Sequence, residues 1–162
     1  MRVKHWAKPA TESEYQAPTV ESMAVSDMPG EAVLYSRGGN ANSSLVRSGL
    51  GGRDPDACEK IVVPVVTLDA YLHYEGLPTP RCVKIDTEGA EIRVLRGAQR
   101  LLSSDARIVC ELHPYAWREF GNTHEELKQL AAGSRRRIRY LDQQNEIVDE
   151  VKYGVVVLER FS

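Results

Sequence analysis

Four side chains in two short segments are of types that move protons or hold cations. They are Asp86 and Glu88 in Asp86-Thr87-Glu88-Gly89, and Glu111 and His113 in Glu111-Leu112-His113-Pro114. Carboxylates and imidazole are the usual general bases, provided they reach the proton they take. Glu111 and His113 are two apart, so an extended backbone points both to one side. A plainer role is open to each residue. Asp86 or Thr87 can cap a following helix, Glu88 can serve only that helix's dipole, and Gly89 can serve only close packing. His113, next to Pro114, can be an ordinary strand end. Oxygen and imidazole ligands also suit several divalent ions, but this spacing selects none, so no metal ligand is assigned.

The elements that must position these groups are readable around them. Arg81–Asp86 (RCVKID) predicts a strand, and Arg107–Leu112 (RIVCEL) a strand buried on both faces. Between them Ile92, Leu95, Ala98 and Leu102 mark one helix face, with Glu88 and Glu91 in its first turn. Strand, helix and strand at this spacing predict a right-handed βαβ unit with parallel strands. Ligands bind beyond the carboxyl ends of such strands, which is where the four residues stand.

The flanks are less regular. Residues 1–18 carry Pro9 and Pro18 and no hydrophobic period, which predicts a poorly ordered leader before a domain spanning 19–162. Val20–Val25 and Glu31–Tyr35 predict two short strands around the turn Met28-Pro29-Gly30, and Ser36–Asp56 a long loop. Ile61–Val66 is β-rich, and Pro64 predicts an edge position for it. Thr67–Leu72 predicts a short helix. Thr123 and Glu126 have capping-box spacing, which predicts a helix over 124–132 stopped at Gly133. Arg137–Leu141 and Val151–Glu159 predict an antiparallel hairpin at the end of the chain.

At 162 residues, 42% hydrophobic and 27% charged, the composition is that of one soluble globular domain. A net charge of −2 gives no reason to expect a nucleic-acid or anionic-membrane partner. The basic run Arg135-Arg136-Arg137 with Arg139 reads as a solvated turn entering a strand. Cys58, Cys82 and Cys110 form neither a disulfide framework nor a zinc ribbon, which makes the cytoplasm the default compartment. Cys82 and Cys110 lie in apolar runs, where a thiol behaves as a small buried hydrophobe. No apolar stretch approaches the roughly 18 residues that span a bilayer, and residues 1–16 have no signal-peptide core.

Taken together, several segments resemble one family. Val65-Val66-Thr67-Leu68-Asp69, Val83–Glu91 (VKIDTEGAE), Val94-Leu95-Arg96-Gly97-Ala98 and Glu111-Leu112-His113-Pro114 closely resemble the FkbM family of methyltransferases in wording, order and gaps. Ala24-Val25-Ser26-Asp27 with Gly30, then Ser43-Ser44-Leu45, extends the likeness over roughly residues 20–158. The resemblance implies an α/β, Rossmann-like class I fold with a mostly parallel sheet. It also implies S-adenosylmethionine as cofactor and the hydroxyl of a small-molecule or glycan acceptor as substrate. Asp86 would face the transferred methyl group, with Glu88, Glu111 and His113 beside it and Asp86 or His113 as base. Ser26 and Asp27 would contact the cofactor's adenine edge.

The family's glycine-rich first turn has no counterpart here, since the 19 residues before Val20 contain no glycine. Gly38-Gly39 and Gly49–Gly52 lie in a loop and open no helix. The sequence therefore predicts an N-terminally truncated domain whose inner strand edge a second chain would complete. A non-catalytic remnant, an association partner of a methyltransferase and a metal-dependent hydrolase-like site are the competing expectations.

Overall fold

The computed structural model describes residues 18–36, 43–46, 58–142 and 151–161. Its strands are β1 (Ala24–Val25), β2 (Gly30–Ser36), β3 (Glu59–Val66), β4 (Cys82–Ile85), β5 (Arg107–Leu112), β6 (Arg136–Tyr140) and β7 (Gly154–Arg160). Its helices are α1 (Leu68–Tyr74), α2 (Glu91–Arg96), α3 (Gln99–Ser103), α4 (Pro114–Trp117) and α5 (His124–Gly133). The strands form a three-stranded sheet, β1-β3-β2, and a four-stranded sheet, β4-β5-β7-β6.

The βαβ reading is borne out: β4 and β5 are parallel neighbours, with Ile85 opposite Cys110. The expectation of a mostly parallel sheet is corrected. Among the described residues both sheets are mixed, because β2 turns back antiparallel on β3 and β7 inserts antiparallel between β5 and β6. The C-terminal antiparallel pair is present. Its intervening turn and most of the loop 36–56 lie outside the described residues, as does nearly all of the leader.

Three local expectations change for tertiary reasons. The predicted single helix divides at Gly97-Ala98, where the Asp69 N–H takes the Gly97 carbonyl at 3.1 Å. A Cβ on Gly97 would come within 2.2 Å of the Ser26 carbonyl oxygen, so β1 presses directly on this break. β3 is the middle strand of its sheet rather than an edge. Pro64 is tolerated there because two-residue β1 pairs only with Val65 and Val66, which leaves β3 locally uncovered beside the proline. The Val20–Val25 strand shortens to Ala24–Val25.

Ile92, Leu95, Leu101 and Leu102 pack against Ile108, Leu112, Val156 and Leu158 in the main core. The face of α2 and α3 thus buries against β5 and β7, holding the turn before α2 close to the end of β5. Two side chains defy their sequence reading. Cys82 is exposed at the outer strand β4, whereas Cys110 is buried. Arg136 is not on a solvated turn but 2% exposed. Its guanidinium donates to the carbonyls of Leu101, Leu102, Ser104, Ala106 and Leu158 at 2.6–3.1 Å. The end of α3 carries carbonyls that no further helical turn satisfies, and the planar fork of arginine fits them.

Candidate active site

The turn joining β4 to α2 shapes the site. Glu88 takes a left-handed backbone at φ 52, and Gly89 follows at φ 113. Non-glycine residues hold such a conformation only when the surroundings impose it. Here Ser44, fully buried, donates its hydroxyl to the Glu88 carbonyl at 2.9 Å across 44 residues of sequence. Gly89 lies so close to α4 that a Cβ would meet the Ala116 Cβ at 2.5 Å. Close packing is therefore what this glycine serves, against α4 rather than against a strand. Neither Asp86 nor Thr87 caps α2: the helix starts at Glu91, its N-cap is Ala90 and no side-chain cap bond is made. Glu88 lies before the helix, so the first-turn reading is corrected for it.

Glu91 stands in the first turn of α2 as expected, and it is also the buried hub of the site. Its side chain is wholly buried and accepts from Gly89 N–H at 2.8 Å, Trp117 Nε1 at 2.7 Å and Thr87 Oγ1 at 3.3 Å. His113 Nδ1 lies 3.0 Å from the same carboxylate. Burial alone would push the Glu91 carboxyl up; the hydrogen bonds from His113, Trp117 and Gly89 outweigh it and hold the group below the ordinary range. An ionised carboxylate only accepts, so Nδ1 of His113 is the donor and Nε2 faces away from Glu91. Burial works against charge on His113 too, but Glu91, with Glu88 and Asp86 beyond it, raises its pKa above the usual value.

Around Nε2 three of the four expected residues come together, and the fourth, Glu111, is linked to them. Glu88 Oε2 is 3.5 Å away. Asp86, Glu88 and His113 each offer a ligand atom within 4.8 Å of the others. Glu111 joins through Lys84, whose Nζ is 2.6 Å from Asp86 Oδ2 and 3.6 Å from Glu111 Oε2. Two exposed tyrosines flank the group: Tyr115 donates to Glu88 Oε2 at 3.2 Å and Tyr153 to Glu111 Oε1 at 3.0 Å. Burial and Glu88 push the Tyr115 phenol up to about 12. Their rings pack edge-on against His113.

A family model described as the methyltransferase FkbM domain matches residues 7–140, well over half of the chain. The chain belongs to the FkbM methyltransferase family. Comparison with curated proteins and with solved structures returns no match.

In this FkbM domain Ser26 and Asp27 stand at the end of β1. The Ser26 N–H pairs with the Val66 carbonyl at 2.9 Å and its hydroxyl donates to Asp27 Oδ1 at 3.1 Å. Asp27 Oδ2 forms an ion pair with Arg96 at 3.1 Å, and Arg96 also holds Glu126 and Asn122. Asp27 therefore ties the end of β1 to α2 and, through Arg96, to α5, while Ser26 joins it to β3. Sequence reasoning missed Glu91, Trp117 and Ser44 as the parts that fix the site. Glu91 and Ser44 stood inside the segments that carry the resemblance, whereas Trp117 gave no signal. No helix among the described residues is long and apolar enough to cross a membrane.

Proposed function

We propose that this FkbM domain transfers a methyl group from S-adenosylmethionine to a hydroxyl of a small polyhydroxylated or glycan acceptor. The observation that supports this most is the meeting of Asp86, Glu88 and His113, with Glu111 linked to them through Lys84, at the carboxyl ends of two parallel strands. S-adenosylmethionine supplies, when bound, a methyl group on a sulfonium that leaves as a neutral thioether. Three carboxylates against the single ammonium of Lys84 leave this sheet edge net negative, which suits that cation. Ser26 and Asp27 remain the expected contacts for its adenine end, although Asp27 spends part of its hydrogen-bonding capacity on Arg96.

The acceptor hydroxyl would lie over this cluster. Carboxylate oxygens take its hydrogen bond and turn a lone pair toward the incoming methyl, and the cluster holds the proton released as the new carbon–oxygen bond forms. Positioning of this kind accounts for several kcal/mol of barrier, ~7 or more where alignment is good. Glu91 fixes the ring of His113, and Ser44 fixes the turn that carries Glu88. A second chain completing the outer edge of β4, and a cytoplasmic setting in keeping with the cysteine usage, belong to the same reading.

Calorimetric titration with S-adenosylmethionine tests it, using ligand up to about 1 mM, which detects binding as weak as roughly −4 kcal/mol. Saturable binding, followed by transfer of labelled methyl to a panel of polyols and glycosides, is the expected result. Absence of binding at that ceiling overturns the reading for this chain.

A further inference from the structure

We infer that Asp86, Glu88 and His113 form a binding site for one divalent transition-metal ion. It deepens the methyl-transfer reading in what the ion would do, but the site is defined by protein atoms alone and can be tested without it.

The geometry is that of a ligand set. Atoms bound at about 2.0–2.6 Å from an ion stand roughly 3–5 Å from each other, and the three candidate atoms lie within 4.8 Å of one another. His113 is 3% exposed and cannot swing to another partner. Its Nδ1 is committed to the buried Glu91 carboxylate at 3.0 Å, which aims Nε2 at Glu88 Oε2, 3.5 Å away. A carboxylate behind one imidazole nitrogen, orienting the other toward an ion, is the usual support for a metal-bound histidine. The carboxylates are held in place as well: Tyr115 donates to Glu88 Oε2, the oxygen that faces His113 Nε2, and Lys84 engages Asp86 Oδ2. One nitrogen and two carboxylate oxygens suit Mn2+ or Zn2+ better than a soft ion such as Cu(I).

Three protein ligands leave coordination positions open. An ion held there would make an acceptor hydroxyl more acidic, as it does bound water, and Glu111, linked to Asp86 through Lys84, would take the proton. No other reactant is needed, and the methyl-transfer step is otherwise unchanged.

The probe is the metal alone. The purified chain is titrated with Mn2+, following loss of the free-ion paramagnetic resonance signal, and with Zn2+ by calorimetry. The same titrations are run on Asp86→Asn and Glu88→Gln. Both side chains lie outside the core, so thermal unfolding should show these variants intact. One ion per chain is expected, weakened at least ~10-fold by either substitution. Glu91→Gln should weaken it ~10-fold or more through His113 alone. Binding of neither ion below on the order of 1 mM, or binding that survives both carboxylate substitutions, overturns the site. S-adenosylmethionine binding is measured separately, so failure of the ion site and failure of the methyltransferase reading are distinguishable.

Discussion

The imidazole of His113 and the carboxylate of Glu91 meet at 3.0 Å inside the protein, 22 residues apart in sequence. Every group that touches Glu91 is a donor: the Gly89 N–H, the Thr87 hydroxyl, the Trp117 indole and the His113 ring. An acceptor-only side chain is therefore required. Glu91→Ala should cost about 3–5 kcal/mol, because it strands a buried ring and indole without a partner. Glu91→Gln keeps the shape but turns an NH2 group toward a donor, and should cost about 1–3 kcal/mol. Urea denaturation of both variants checks the order. Equal stability of Glu91→Gln and the parent would show that the charge on Glu91 contributes nothing.

That pair also marks where sequence reading stops. The β4 strand, the Thr123–Glu126 capping box and the parallel β4–β5 pair were legible because neighbouring residues encode them. The box is present as expected, with Thr123 accepting from Glu126 N–H at 3.2 Å. The four polar residues at the strand ends were legible for the same reason. Glu91 was not, because its meaning depends on Trp117, 26 residues further on. The break after Arg96 was not, because apolar spacing runs on through Leu102 and only β1 and Asp69 interrupt it. Pro64 misled because it describes its own position, and the shortness of β1 is what makes that position tolerable.

Arg136 extends the same lesson to stability. Three arginines in a row read as surface charge, yet one of them donates to five carbonyls, in α3, in the segment just after it and in β7. Lysine keeps the charge but not the planar fork, so most of those carbonyls lose their donor. Arg136→Lys should destabilise by about 2–4 kcal/mol, taking ~1.5–3 kcal/mol for a hydrogen bond to a charged group and allowing for partial replacement. Arg137→Lys, at an exposed neighbour, should be within about 0.5 kcal/mol of the parent. Paired thermal melts decide it: two indistinguishable curves would contradict the buried role.

Gly89 and Gly76 separate backbone strain from crowding. Both take positive φ, 113 and 63, but a Cβ on Gly76 meets nothing within 4 Å while one on Gly89 meets Ala116 at 2.5 Å. Gly76→Ala should cost only the left-handed backbone term, about 1 kcal/mol. Gly89→Ala adds overpacking of roughly 1–3 kcal/mol and displaces the turn carrying Glu88. It should therefore lower both stability and ligand binding, whereas Gly76→Ala leaves binding unchanged. Calorimetry of the two variants with the same ligand tests the distinction.

Acid should loosen the junction between β1 and the helices before it unfolds the core. Burial alone would raise the Asp27 carboxyl, but its bonds to Arg96 and Ser26 prevail and hold it below its ordinary value of 3.8. A depressed carboxylate contributes stability that is fully present above the unfolded pKa and is lost as pH falls through the lower folded value. At neutral pH this contribution, on the order of 1 kcal/mol for a partly exposed pair, is intact. Between about pH 4 and the folded pKa it disappears. Asp27→Asn removes the titrating group, so the variant should be less stable than the parent at pH 7 and converge with it toward pH 3. Denaturation midpoints measured across that range give the answer, and a constant gap down to pH 3 would mean that the Asp27–Arg96 pair does not titrate with folding.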